Sequence, residues 1–220
     1  GIVIISSGNN VALNGVLQVL SGRFTLEDNA NSIQSSTVVN SGNIIVKRNT
    51  SPLIRQDYVL WSSPVAAQQL LAFSPATLTN RFYTYDSATD KYLTVSSPAT
   101  TNFALGTGYL IRVPNTHPTT PTIWGGQFTG VPNNGTVNLT VANATYNAIG
   151  NPYPSTIDAD TFIAANGITE ALYFWRKTNN SNNSSYATYT TAGGVSNSGG
   201  DTLGLTPSRT IAVGQGFIVK

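Results

Sequence analysis

Residues 146–162 read YNAIGNPYPSTIDADTF, and residues 58–73, YVLWSSPVAAQQLLAF, read as a looser version of them. Each opens on a tyrosine, runs through a strand-like tract and breaks at a proline, Pro64 or Pro152. The correspondence continues in order. The aromatic run 82–85 answers to 172–175, and GTGYLIR at 106–112 answers to GQGFIVK at 214–220. Two copies of one unit, about 58–114 and 146–220, account for this order. In each Gly-x-Gly run the glycines let a strand start beside a closely packed backbone, and the residues that follow alternate toward a core. A phosphate cradle would need the same glycines to open a helix, which neither copy does. The prolines and asparagines of IGNPYP break strand pairing and offer Asx-type turns. That segment is expected to be a fixed corner between a strand and a short helix.

The helix signal follows directly. Ser155 stands three residues before Asp158 in capping-box spacing, Ile157, Phe162 and Ile163 fall near one face, and Gly167 is a terminator. A short helix over 156–166 is predicted. Elsewhere the grammar is that of strands. RFYTY and KYLTV flank the polar connection DSATD as a hairpin, with Tyr83 and Tyr85 on one face and Phe82 on the other. QFTGVPNNGTVNLTV reads as strand, Asn134-Gly135 turn, strand. In residues 1–50 the short runs VAL, VLQVL, RFTLE and NIIVK are separated by turn signals at Gly8, Gly15, Gly22 and Gly42. Such steps describe either rungs of a β-solenoid or a meander feeding the next sheet. The predicted fold is all-β: a solenoid-like or meander segment at 1–50, then a β-sandwich or jelly-roll-like module at 51–220 with internal duplication.

Composition narrows the function. Only 9% of the 220 residues are charged against 40% hydrophobic, and the 11 basic residues are scattered singly around a net charge of +2. No Lys/Arg stripe is available to neutralise phosphates or anionic lipid, so nucleic acid and membrane insertion are not expected. With no Cys and no Met, thiolate chemistry, disulfides and Cys-type zinc sites are excluded. No apolar run reaches membrane-span length, and Gly1-Ile2-Val3-Ile4-Ile5 lacks the basic start of a signal peptide. The end at Lys220 falls inside a strand-like run. Both observations predict a piece of something longer, with open strand edges at its two ends that neighbouring modules or like subunits would cover.

Catalytic constellations are sparse. His117, the single histidine, lies in the Pro-rich NTHPTTP and reads as a solvated loop residue. Asp158 and Asp160 stand too close in sequence to be opposed across a sugar, and Asp158 already has a capping role. DSATD and DAD offer spaced oxygens for calcium but lack the Gly and bidentate Glu of a recognisable loop. No metal, cofactor or catalytic residue is predicted. Among the aromatics, Tyr83, Tyr85, Trp124, Tyr173, Trp175, Tyr186 and Tyr189 could stack on sugar rings, with Trp124, Trp175 and Tyr186 as the carbohydrate candidates; strand aromatics are more often core.

Several segments carry a family resemblance: SGNIIVKRNTSPLIRQDYVLWSSPV, FSPATLTNRFYTYDSATDKY, GTGYLIRVP, FTGVPNNGTVNLTV, YNAIGNPYPSTIDADTFIAANG, LYFWRKTN and VGQGFIVK. They resemble the large secreted and cell-surface proteins of Flavobacterium-like Bacteroidota that leave the cell by the type nine secretion system. In such proteins, β-rich modules stand upstream of a C-terminal sorting domain. The resemblance spans nearly the whole chain and is strongest from 42 to 220. It implies an extracellular or cell-surface location and adhesive or structural duty, without naming a ligand. It also implies O-glycan acceptors: DSA at 86–88 and DTL at 201–203 resemble the Asp-Ser/Thr sites modified in those bacteria, which points to Ser87 and Thr202. The expected function is a non-enzymatic structural or adhesive module. The alternative is a carbohydrate-binding module attached to a secreted hydrolase.

Overall fold

A computed structural model describes residues 1–176, 185–197 and 205–220. Five short strands open the chain: β1 (Ile2–Ile5), β2 (Asn10–Leu13), β3 (Arg23–Leu26), β4 (Asn31–Gln34) and β5 (Ile44–Asn49). Their pairing is parallel, which sets the segment apart from a meander. Ile2 lies opposite Arg23 in β1–β3, Asn10 opposite Asn31 in β2–β4, and Leu26 opposite Val46 in β3–β5. β-Branched residues suit these pleated runs, and a near-constant offset stacks like positions. The ladders stay open sheets; the described residues form neither a closed barrel nor a closed solenoid.

Most of the remaining strands form two antiparallel sheets. The first contains β6 (Tyr58–Trp61), β7 (Phe82–Asp86), β8 (Lys91–Thr94) and β9 (Tyr109–Arg112) in the order β6-β9-β7-β8. A single-turn helix, α1 (Leu70–Phe73), lies between β6 and β7. Next, β10 (Gly125–Gly130) returns to the N-terminal sheet and pairs antiparallel with β5, Phe128 opposite Val46. That sheet therefore crosses residue 50. The second sheet, a separate two-stranded ladder and a helix draw on β11 (Asn147–Gly150), β12 (Ile157–Asp158), α2 (Ala159–Ala165), β13 (Leu172–Trp175), β14 (Tyr186–Thr190), β15 (Gly193–Val195), β16 (Thr210–Ile211) and β17 (Gly216–Val219), in chain order. The order in the second sheet is β11-β17-β13-β14-β15, while β12 and β16 pair separately.

The four strands of the first sheet and the first four of the second thus follow the same order, and their register corresponds too; β15 is an added edge. Tyr83 faces Leu110 as Tyr173 faces Ile218, and Trp61 faces Tyr109 as Ile149 faces Phe217. The two also interlock. The Ser62 N–H donates to Gly214 O at 2.9 Å, and the Gly150 N–H donates to Gly106 O at 2.9 Å. Gly106 and Gly214 hold positive φ angles of 69° and 65°, which glycine adopts without steric cost. A Cβ on Gly108 would lie 2.8 Å from Ile149 O, and one on Gly216 2.7 Å from Leu60 Cγ, so each Gly-x-Gly run abuts the first strand of the other sheet.

One core joins N-terminal ladder and first sheet. Leu26, Val46, Trp61, Phe82, Ile111 and Phe128 are buried in it, and Val213 reaches it from the segment between β16 and β17. Trp61 meets Phe73, Trp124 and Phe128 edge-to-face at 5.1, 5.3 and 5.8 Å. A second cluster lies beneath α2, around Ile163, Leu172, Phe174 and Phe217. Leu60, Leu110 and Ile218 form a third, covered by tyrosines of both sheets.

Four local expectations need correction. α2 starts at Ala159, because residues 157–158 pair as β12 with β16 and Ser155 O is taken by Asn151 Nδ2 at 2.7 Å. Asp158, not Ser155, caps it, accepting from Thr161 N at 2.8 Å. A second helix, α1, was not expected; it lacks a side-chain cap and is held by Leu70 N donating to Thr101 O at 2.9 Å. The turn at Gly135 forms, with φ of 77°, but residues 136–141 are not a strand. Asn133 Nδ2 donates to Pro152 O at 2.9 Å and Asn134 Nδ2 to Ser36 O at 2.7 Å, which ties the segment to distant loops. Finally, the C-terminal strand is not an open edge: β17 is flanked by β11 and β13. β1 is the edge of its sheet. The corner at IGNPYP is built by Asn151, whose Oδ1 accepts from Tyr153 N at 2.9 Å and whose amide reaches Ala212 O at 3.1 Å.

Candidate functional site

Alternation along four strands, β7, β8, β13 and β14, brings aromatic rings to one concave surface where the two sheets meet. Tyr85 of β7 faces Tyr92 of β8, and Trp175 of β13 faces Tyr186 of β14. With Tyr146 and Tyr173 they line a cavity of about 500 Å³ whose rim includes Asp90. The rings pack edge-to-face. Trp175 and Tyr186 lie 5.4 Å apart at 88°, Tyr92 and Trp175 6.0 Å at 84°, and Tyr146 and Tyr173 5.6 Å at 88°. Such pairs add about 0.5–1.5 kcal/mol each beyond area burial.

Polar contacts fix the hydroxyls. Tyr92 and Tyr186 share a hydrogen bond of 2.8 Å between their phenol oxygens, and Tyr85 donates to the Asp90 carboxylate. Burial is the largest cause raising the pKa of Tyr92, Tyr85 and Tyr186. Tyr186 and Tyr85 add to it at Tyr92, Asp90 adds to it at Tyr85, and at Tyr186 the hydrogen bond with Tyr92 offsets part of it while the Asp90 charge adds. All three therefore remain neutral hydroxyls at physiological pH. A further tether crosses between the sheets, because Ser87 Oγ donates to Asn147 Oδ1 at 3.0 Å and Thr145 Oγ1 to Ser87 O at 2.9 Å. Apolar ring faces beside neutral hydroxyls and one carboxylate form a surface suited to a polyhydroxylated ring.

The sequence candidates divide between core and cleft. Trp175 and Tyr186 are cleft residues, as are Tyr85 and Tyr173. Trp124 is not: it is 8% exposed and lies against Trp61 and Phe73, so no ring face is open to a sugar. Tyr189 faces the other way, with its hydroxyl on Asp160 at 3.0 Å, and Tyr83 packs on Tyr58. Tyr92, Tyr146 and Asp90 were missed. The register of the DSATD hairpin was the available signal for Tyr92, since it puts that ring opposite Tyr85. Ser87, the candidate O-glycan acceptor, is half-buried with its hydroxyl engaged; Thr202 lies outside the described residues.

His117 is corrected from solvated to buried. It is 8% exposed, and Nε2 lies 3.0 Å from Leu53 O and 3.2 Å from Thr122 O. Two carbonyl acceptors require a proton on Nε2, so the ring braces a loop. Asp158 and Asp160 converge on Arg209, at 2.5 and 3.2 Å. In the DSATD turn Asp86 accepts from Thr89 Oγ1 at 2.5 Å and from Ala88 N at 3.2 Å. Among the described residues no three His, Asp or Glu side chains gather as a metal site.

The Asp158 carboxyl is held down to about 2, first by its bonds to Arg209 and then by Thr161 N–H. A depressed folded-state pKa contributes stability above the ordinary value of 3.8, and that contribution disappears as pH falls through about 2. Amide exchange in α2 should accelerate across that window before exchange in β11 and β17 does. NMR exchange rates that rise together in all three elements would contradict the cap.

A family model described as a domain of unknown function (DUF8693) matches residues 1–220. No curated protein and no solved structure matches the chain.

Proposed function

The chain belongs to the DUF8693 family over residues 1–220, and because that description carries no activity we propose from the geometry that it is a non-enzymatic, extracellular adhesive module that binds carbohydrate in its aromatic cleft. The observation that carries this is the cavity of about 500 Å³ lined by six aromatic rings, with Asp90 at its rim. Its groups favour holding over reacting. The phenols are kept neutral, and the carboxylate already accepts from Tyr85. On this reading the two similarly ordered sheets are copies of one unit forming a sandwich-like frame, and the cleft is the seam between them. The surface location comes from the resemblance to secreted Bacteroidota modules.

A structural role is the second reading. The N-terminal parallel ladders are then solenoid-like rungs, and β1 is where a neighbouring module or like subunit adds a strand. Ile2, Val3 and Ile4, with exposures of 66%, 48% and 50%, favour it, as does the edge position of β1.

Screening the chain on a glycan array, then measuring hits by calorimetry for wild type and Trp175→Ala, tests the leading reading. Retained glycans should weaken by about tenfold or more in the variant, as expected for an aromatic anchor. An empty array, or equal affinities with the variant folded, would leave the structural reading in its place.

A further inference from the structure

Arg48 is a half-buried cation that the cleft does not account for. Its guanidinium carbon stands 5.2 Å from the Trp61 ring centroid, and its Nη1 is shut off from solvent without a hydrogen-bond partner. Trp175 Nε1 is likewise buried and unpartnered. Both residues border one cavity of about 100 Å³, together with Thr50, Ser51, Tyr58 and Arg176. Arg176 Nη1 donates to Ser51 Oγ at 2.6 Å, which places a second guanidinium at the same wall.

Asp28 is the carboxylate that acts on Arg48, but no hydrogen bond joins them. Asp28 attracts Arg48 electrostatically, yet its oxygens accept from Asn49 N at 2.8 Å and from Asn29 Nδ2 at 3.1 Å. Burial pulls the Arg48 pKa down to about 10, so the group stays charged at neutral pH. Buried donors without a hydrogen-bond partner are costly, and Arg48 Nη1 and Trp175 Nε1 lack what an oxyanion in the small cavity would supply. The space is that of about three waters, enough for a carboxylate.

We propose that this cavity is an oxyanion subsite, filled by the carboxylate of an acidic sugar whose ring lies in the adjoining aromatic cleft. The proposal rests on the carbohydrate reading and is linked to it by Trp175, which borders both cavities. No bond is made or broken; recognition is by charge-assisted hydrogen bonds from Arg48 and the indole N–H.

Calorimetry at constant ionic strength with a methyl glucuronide, the matching methyl glucoside and inorganic phosphate tests it on wild type, Arg48→Met and Trp175→Ala, each checked for folding by thermal melting. Wild type should prefer the glucuronide by about tenfold or more. Arg48→Met should bind the two sugars alike, and Trp175→Ala should lose both. Equal wild-type affinity for both sugars, or a glucuronide preference that survives Arg48→Met, would overturn the subsite. Phosphate uptake that depends on Arg48 with neither sugar bound would keep the oxyanion site and remove the carbohydrate reading. No response to glucuronide or phosphate overturns the subsite outright.

Discussion

Gly150→Ala is expected to destabilise the chain by about 3 kcal/mol, a large penalty for one methyl group. An ideal Cβ there would lie 2.3 Å from Ser62 Cβ and 3.0 Å from Gln215 O. Ser62 cannot retreat freely, because its N–H is bonded to Gly214 O. Urea denaturation should register the loss, with the melting temperature lower by about 6–12 °C for a chain of this size. Gly214→Ala should be destabilising for two reasons: its φ of 65° and a Cβ 2.9 Å from the Phe128 ring. Since both substitutions press on Ser62, the double variant should not show the sum of the single effects. Additive losses would mean that the two strand crossings are not coupled, contrary to the interlock described above.

Phe128→Ala should cost about 3–5 kcal/mol, the range for truncating a buried aromatic. Phe128 is fully buried, stacks on Phe73 at 4.5 Å, and meets Trp61 and Phe103 edge-to-face, each at 5.8 Å. Its strand, β10, pairs with β5, its ring stacks on Phe73 of α1 and lies close to Gly214, so it touches the N-terminal ladder, α1 and the turn before β17. The loss should therefore appear as one shifted transition by tryptophan fluorescence and by far-ultraviolet circular dichroism alike. Separate transitions by the two probes would show that the N-terminal ladder unfolds apart from the rest.

Local grammar carried the parts of the fold that depend on neighbours in sequence. The DSATD hairpin, the Asn151 corner and the helix after it are legible, because turn chemistry and period-2 alternation act over a few residues. What escaped is long-range. Nothing in QFTGV announces that it will pair with NIIVK across the whole first sheet, nor that Asn133 and Asn134 will spend their amides on distant carbonyls instead of a hairpin. The one-turn α1 has no cap to read; it exists because the 97–101 loop supplies acceptors.

The candidate site shows the same division. Trp124 and Trp175 look alike as strand-flanking aromatics, but Trp61 and Phe73 close over the first, while the second opens on the seam between sheets. Tyr92 was within reach of hairpin register. Tyr146, in contrast, joins the cleft only because β11 pairs with β17 and carries it beside Tyr173. Arg48 gave no signal at all, since its lack of a partner is a property of the folded surroundings.

The central claim, that the seam binds a sugar, is tested most directly by following the indole N–H resonances of the three tryptophans during titration with the glycan selected on the array. Trp124, buried in the main core and lining neither cavity, serves as the internal control. The account predicts that the Trp175 resonance shifts in a saturable way while that of Trp124 stays in place; a saturable response at Trp124 without one at Trp175, or none at Trp175 at saturating glycan, would contradict it.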